Sequence, residues 1–100
     1  MVKYAIKMLQ RASDDIDNIY NHISDELKEA NTAEKLADAL TDAILSLDEM
    51  PYRGSIRRVG AFANRGYRQI FVKNFTVVYR IDEMRKMVII VTVRYTPSSF

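Results

Sequence analysis

Tyr67-Arg68-Gln69-Ile70-Phe71-Val72, then Lys73-Asn74, then Phe75-Thr76-Val77-Val78-Tyr79-Arg80-Ile81 is the stretch on which the fold turns. Apolar residues alternate with polar ones on both sides of a two-residue break, which is the pattern of two half-buried strands. Asn74 tolerates the positive φ that tight hairpins need, so Lys73-Asn74 reads as the turn. On the second strand Phe75, Val77, Tyr79 and Ile81 share one parity, and Thr76, Val78 and Arg80 the other. The first set is the more apolar and should meet the core, which leaves Arg80 on the open face and makes Tyr79 a core residue with a tethered hydroxyl. Asp82 to Lys86 is a polar turn. Met87 to Val93 follows, apolar on both faces and therefore central in the sheet. The tail stops being strand by Pro97. These three strands form an antiparallel meander with short turns.

Working back from the meander, Pro51 to Gly66 reads as irregular, with Gly54, Gly60 and Gly66 as punctuation. Before Pro51 the period is helical. Leu36, Leu40, Ala43, Ile44 and Leu47 make one stripe, with Asn31 and Glu34 resembling a capping box at its start. Ala12, Ile16, Ile19, Tyr20, Ile23 and Leu27 make another. Ser13 reads as its N-cap, with Asp14, Asp15 and Asp17 in the first turn, where the helix dipole favours anions. Val2 to Met8 alternates again and reads as a strand that pairs with an edge of the meander or stands unpaired. The expected architecture is α+β: an N-terminal strand, a two-helix hairpin, then a three-stranded antiparallel meander, the sheet packed on the helices. The whole of residues 1–100 is one domain, by size.

Composition narrows the chemistry. There is no cysteine and one histidine, His22, so disulfides, thiolate metal sites and cysteine nucleophiles are excluded and no cofactor is expected. Three glycines leave no room for a glycine-rich phosphate loop. The longest strictly apolar run, Met87 to Val91, is five residues, against roughly 20 for a membrane helix. With no apolar leader at the N-terminus, the chain reads as cytoplasmic.

The net charge of +2 is unevenly spread. Residues 1–52 hold five Lys/Arg against eleven Asp/Glu, a net −6; residues 53–100 hold ten against two, a net +8. Eight of those ten cations are arginine, whose planar fork pairs with phosphate or carboxylate. Either the basic half neutralises the acidic half within the fold, or it faces a polyanionic or acidic partner. The loop arginines Arg53, Arg57, Arg58 and Arg65 form the expected rim; Arg68, Lys73, Arg80 and Arg94 are the expected cations of the strands. RNA cleavage by its own 2′-hydroxyl needs a base, cations for the phosphate and an acid for the leaving oxygen. Arg68, Arg80, Arg94 and Tyr95 are the candidates for such chemistry. His22 reads as an ordinary helix-surface residue, and Asp82 and Glu83 as solvated turn residues.

The order strand–helix–helix–meander resembles the RelE/ParE toxin superfamily, also known as the plasmid stabilisation family. The residues that carry the likeness are Pro51, Arg68-x-x-x-Val72-x-Asn74-Phe75-x-Val77-x-Tyr79-x-Ile81 and Ile90-Val91-x-Val93-Arg94. The resemblance implies the toxin of a type II toxin–antitoxin pair, neutralised by a cognate antitoxin, as a homodimer or a toxin–antitoxin hetero-oligomer. RelE-like members cleave mRNA on the ribosome, whereas ParE-like members poison DNA gyrase. In the RelE-like pattern an arginine follows the aromatic that opens the central strand; here Thr76 follows Phe75. Arg94 and Tyr95 match the end of the nuclease pattern in part, and Arg68 fits the ParE-like pattern. The likeness is therefore closer to the ParE-like branch, with an mRNA endonuclease and a non-toxic degenerate member as alternatives.

Overall fold

The computed structural model describes residues 2–97. The elements run β1 Ala5–Met8, α1 Gln10–Asn21, a π-helical turn His22–Glu26, α2 Ala30–Leu45, two short 3-10 turns, Ser46–Asp48 and Pro51–Arg53, then β2 Ser55–Ile56, β3 Arg68–Val72, β4 Phe75–Asp82 and β5 Met87–Tyr95. Two helices cover one face of a five-stranded sheet ordered β1-β5-β4-β3-β2. The α+β class and the meander match the sequence reading.

The apolar stripes explain the packing. Ala12 on α1 and Ala33, Leu36, Leu40 and Ile44 on α2 are buried, with Ile16, Ile19 and Ile23 half-buried against the same core. The sheet answers with Ile70, Val77, Tyr79, Val88, Ile90 and Val93. β5 is interior, as its two apolar faces require, with β1 parallel on one side and β4, the middle strand of the sheet, antiparallel on the other.

Several local expectations are corrected. The sheet has a further strand, because Ser55–Ile56 pairs with Arg68 and Gln69 inside the segment read as irregular, while β1 takes a sheet edge as expected. Two residues are too few to show a period. β1 covers Ala5–Met8, not Val2–Met8. α1 starts at Gln10, so Ser13 is inside the helix and not its cap. Leu9 takes the cap position because its N–H is committed to Ile90 O at 3.0 Å, so strand pairing sets the helix entry. Asp15 does not serve the helix dipole; its Oδ2 accepts from Thr92 Oγ1 and, at 3.1 Å, from Val93 N, closing the edge of β5 beyond the reach of β1. α2 starts at Ala30, with no side-chain cap and no Asn31–Glu34 box. The hairpin turn is in place, but the left-handed residue is Lys73 (φ 53); Asn74 gives its carbonyl to Thr96 N at 2.7 Å.

One irregularity decides which side chains reach the core. Tyr79 pairs with Ile90 and Val78 with Thr92, so Val91 is an extra residue in β5. The bulge reverses the alternation. Val88 and Ile90 before it and Val93 after it all join the core under the helices, although their parity in sequence differs.

Candidate functional site

Two surfaces stand out, at opposite corners of the sheet. The first is the loop between the 3-10 turn Pro51–Arg53 and β3. The Tyr79 hydroxyl, buried, donates to Pro51 O at 2.6 Å and accepts from Gly54 N at 3.1 Å. Burial raises its pKa. Gly54 leaves no room for a side chain, since a Cβ there would sit 2.5 Å from both Gln69 O and Tyr79 Oη. Arg68 donates to Gly54 O at 2.7 Å and lies over the Tyr52 ring at 5.0 Å. Arg53 reaches back to Ser46 Oγ at 2.9 Å and Ala43 O at 3.2 Å.

Beyond Gly54 the loop folds onto Arg57. That side chain is only 8% exposed. Its Nε donates to Ala61 O at 2.5 Å and its Nη1 to Gln69 Oε1 at 2.9 Å, while burial pulls the guanidinium below the usual arginine range. Asn64 N donates to Arg57 O, and the Phe62 and Tyr67 rings meet edge to face at 5.1 Å. Gly60, Phe62, Asn64 and Gly66 all have left-handed φ, between 58 and 81. Arg58 and Arg65 are exposed at the rim. Arg57, which its loop position marked as part of that rim, is an internal brace.

The strand arginines separate. Arg68 pairs with Tyr79 and shares its helix-side face, turned to Gly54 and Tyr52. Arg80 is exposed on the opposite face. Arg94 shares that face through its pairing with Thr76, half-buried, and its Nε donates to Thr92 Oγ1 at 3.2 Å. Arg80 and Arg94 stand roughly 13 Å apart along the strands, at the usual rise per residue. Thr76 is buried, its hydroxyl sharing a 2.8 Å hydrogen bond with Thr96.

Potential bases are sparse. Glu83 Oε1 accepts from Tyr4 Oη at 2.5 Å, which holds its carboxyl below the ordinary range and pushes the Tyr4 phenol up to about 12. Asp82 accepts from Arg85 N, and His22 is an exposed helix residue bonded to Glu26 Oε2 at 2.7 Å.

The second surface is an open groove of about 760 Å³ at the far end. Ile19, Ile23 and Leu27 supply one wall, Thr32, Lys35 and Leu36 another, and Lys73, Asn74, Phe75 and Tyr95 the third. The Phe75 and Tyr95 rings pack at 5.6 Å. The sequence reading missed this groove. The one local sign is Leu27, which continues the α1 stripe past the end of the helix; the π-helical turn leaves it 54% exposed.

Comparison with known proteins agrees with this architecture. The chain is similar to a solved structure of the chromosomal ParDE toxin–antitoxin system of P. aeruginosa, with TM-score 0.75 and 20% identity over 93% of this chain and 96% of that one. It is also similar to the RelBE2 toxin–antitoxin complex of Mycobacterium tuberculosis, with TM-score 0.70 and 19% identity over 95% and 93% of the two chains. A third likeness is to a free mutant of the E. coli toxin RelE, with TM-score 0.60 and 14% identity over 96% and 86%. No curated protein matches in sequence. At these identities the structures speak for the fold alone. The sequence itself matches, over residues 6–97, the family described as the ParE toxin of the type II toxin–antitoxin system parDE. With nearly its whole length matched and the two-helix, five-strand architecture in place, the chain belongs to the ParE toxin family of type II toxin–antitoxin systems.

Proposed function

We propose that this toxin arrests growth by acting on DNA gyrase and is neutralised by a cognate antitoxin seated in the apolar groove. The observation that carries the choice of gyrase over mRNA is the Thr76–Thr96 pair. It occupies the head of the central strand, where the nuclease pattern places an arginine, and two hydroxyls bonded to each other supply no positive charge to a scissile phosphate. Glu83 is a weak base in this setting, because its hydrogen bond from Tyr4 favours the ionised form. Arg68, Arg80 and Arg94 do not converge. Target contact then falls to the exposed cations Arg58, Arg65 and Arg80, with Arg57 and Arg68 bracing from behind, while Lys73 belongs to the groove. Tyr95 serves the groove wall and Arg94 the neighbouring sheet face.

The groove fits an amphipathic segment of the antitoxin. Its floor is apolar, and Lys35 and Lys73 stand at its margins, matching carboxylates beside an apolar stripe. The deciding experiment runs purified toxin in a gyrase supercoiling assay beside ribosome-bound mRNA analysed by primer extension. Inhibition of supercoiling with intact mRNA is expected; cleaved mRNA with normal supercoiling would overturn the reading.

A further inference from the structure

We propose that the loop 57–66 is the gripping element of the toxin and that what it grips is a protein surface: an apolar pocket rimmed by carboxylates, filled by Val59 and framed by Arg58 and Arg65. The proposal rests on the toxin reading above and assigns its target-binding element.

Charge comes first. From Met50 to Ile81 the sequence has seven Lys/Arg and no Asp or Glu. The loop sits in the middle of that stretch, so no acid of its own segment competes for Arg58 and Arg65. The second observation is Val59. It is 80% exposed; among the described large apolar residues only Met84, in the β4–β5 turn, is more so. A β-branched aliphatic held out in water next to Arg58 in the chain gains free energy only when something apolar covers it.

The third observation is shape. A positive φ is unusual for a bulky residue, yet Phe62 holds one at 67, in company with Gly60, Asn64 and Gly66. Such conformations persist where the surroundings over-determine them. Here the determinants are the buried Arg57 guanidinium, the Asn64 N to Arg57 O bond and the Phe62–Tyr67 ring contact. The loop is thus ordered before it meets a partner, which removes an ordering cost from binding.

The composition of the tip selects the class of partner. Phosphates attract guanidinium groups but offer nothing to an isopropyl group. Unpaired bases stack on flat aromatic rings, and the loop's aromatic, Phe62, is engaged with Tyr67. An exposed aliphatic side chain beside arginines gains most from a surface that offers apolar contact and carboxylates together, which a protein supplies and a nucleic acid does not.

The test uses the full chain, induced in bacterial cells and purified, as wild type, Val59→Ser, Arg58→Ala/Arg65→Ala and, as a control of equal exposure elsewhere, Met84→Ser. Thermal melting checks that each is folded. Loss of one buried valine contact corresponds to about tenfold in half-inhibitory concentration. Val59→Ser should therefore need about tenfold more toxin for growth arrest and for inhibition of supercoiling, while Met84→Ser matches wild type. The arginine variant should be weaker than wild type at low salt and lose less potency than wild type as salt rises. Binding to a short labelled single-stranded RNA or DNA duplex, read by fluorescence anisotropy, should not change with Val59→Ser.

A Val59→Ser protein as potent as wild type overturns the proposal. So does loss of both nucleic-acid binding and toxicity in the arginine variant while Val59→Ser stays toxic, which would make the loop a nucleic-acid clamp. If wild type arrests growth but leaves gyrase untouched, the gyrase reading falls and the growth series alone judges the loop. If wild type does not arrest growth, both fall.

Discussion

The Pro51–Gly66 loop and the groove at the hairpin tip are made of opposite materials. In the loop, polar side chains are turned inward: Tyr79, Arg68 and Arg57 spend their hydrogen bonds on the loop's own backbone. In the groove, Ile23, Leu27, Phe75 and Tyr95 remain partly uncovered, and polar groups stand at the margin. Hydrogen bonds are directional and hold one conformation, whereas apolar contact is non-directional and accepts any complementary surface. The loop is therefore a preset shape and the groove an unfilled one. Under the function proposed above, the preset loop would meet the target and the apolar groove the antitoxin.

The largest way to break this contrast is Gly54→Ala. The added methyl meets backbone and a buried hydroxyl, neither of which has room to yield. Overpacking of this kind costs about 2–3 kcal/mol, and urea unfolding should show it. An unchanged midpoint would mean the loop is not clamped. Next is Leu27→Asp, which places a charge where the groove needs apolar contact. Leu27 is already exposed, so stability should hold while antitoxin affinity falls by about tenfold or more, measured by titration calorimetry. Tyr79→Phe leaves Pro51 O and Gly54 N without their buried partner and should cost about 1–2 kcal/mol in the same unfolding assay. Lys35→Ala/Lys73→Ala should weaken the antitoxin complex only a few-fold and flatten its salt dependence, since rim charges act mainly through long-range attraction.

The smallest effect tests the end of the sheet beside the loop. Tyr4 is raised from 10.0 to about 12 by its bond to Glu83. A raised pKa in the fold means the contribution is whole below pH 10.0, the unfolded value, and is lost as pH climbs through about 12. Glu83 moves the other way. Its pKa is lowered from 4.5, so its share is present above pH 4.5 and disappears as pH falls through the depressed value. Melting temperature against pH should decline at both ends, and Tyr4→Phe should flatten both declines.

Much of this was legible one residue at a time. The parity of Phe75 to Ile81 predicted which set meets the helices and that Tyr79 would be tethered in the core; both hold, with Tyr79 fully buried, but Thr76 and Val78 on the face read as open are buried too. The helical stripes predicted the hairpin. Of the site, the sequence supplied the cations but not their division of labour. Arg57 and Arg58 are neighbours of one type, and only the structure turns one inward to Ala61 and Gln69 and leaves the other exposed. The groove was illegible because its walls come from four separate segments.

Periodicity and composition settle what each segment is, because strand and helix repeats, turn residues and charge bias act over a few neighbouring residues. The parallel seat of β1 beside β5, the extra residue at Val91, the closure of a strand edge by Asp15 and the inward turn of Arg57 were decided only in the folded chain. Each joins groups whose pairing depends on where the sheet and helices place them, and no local pattern encodes that distance.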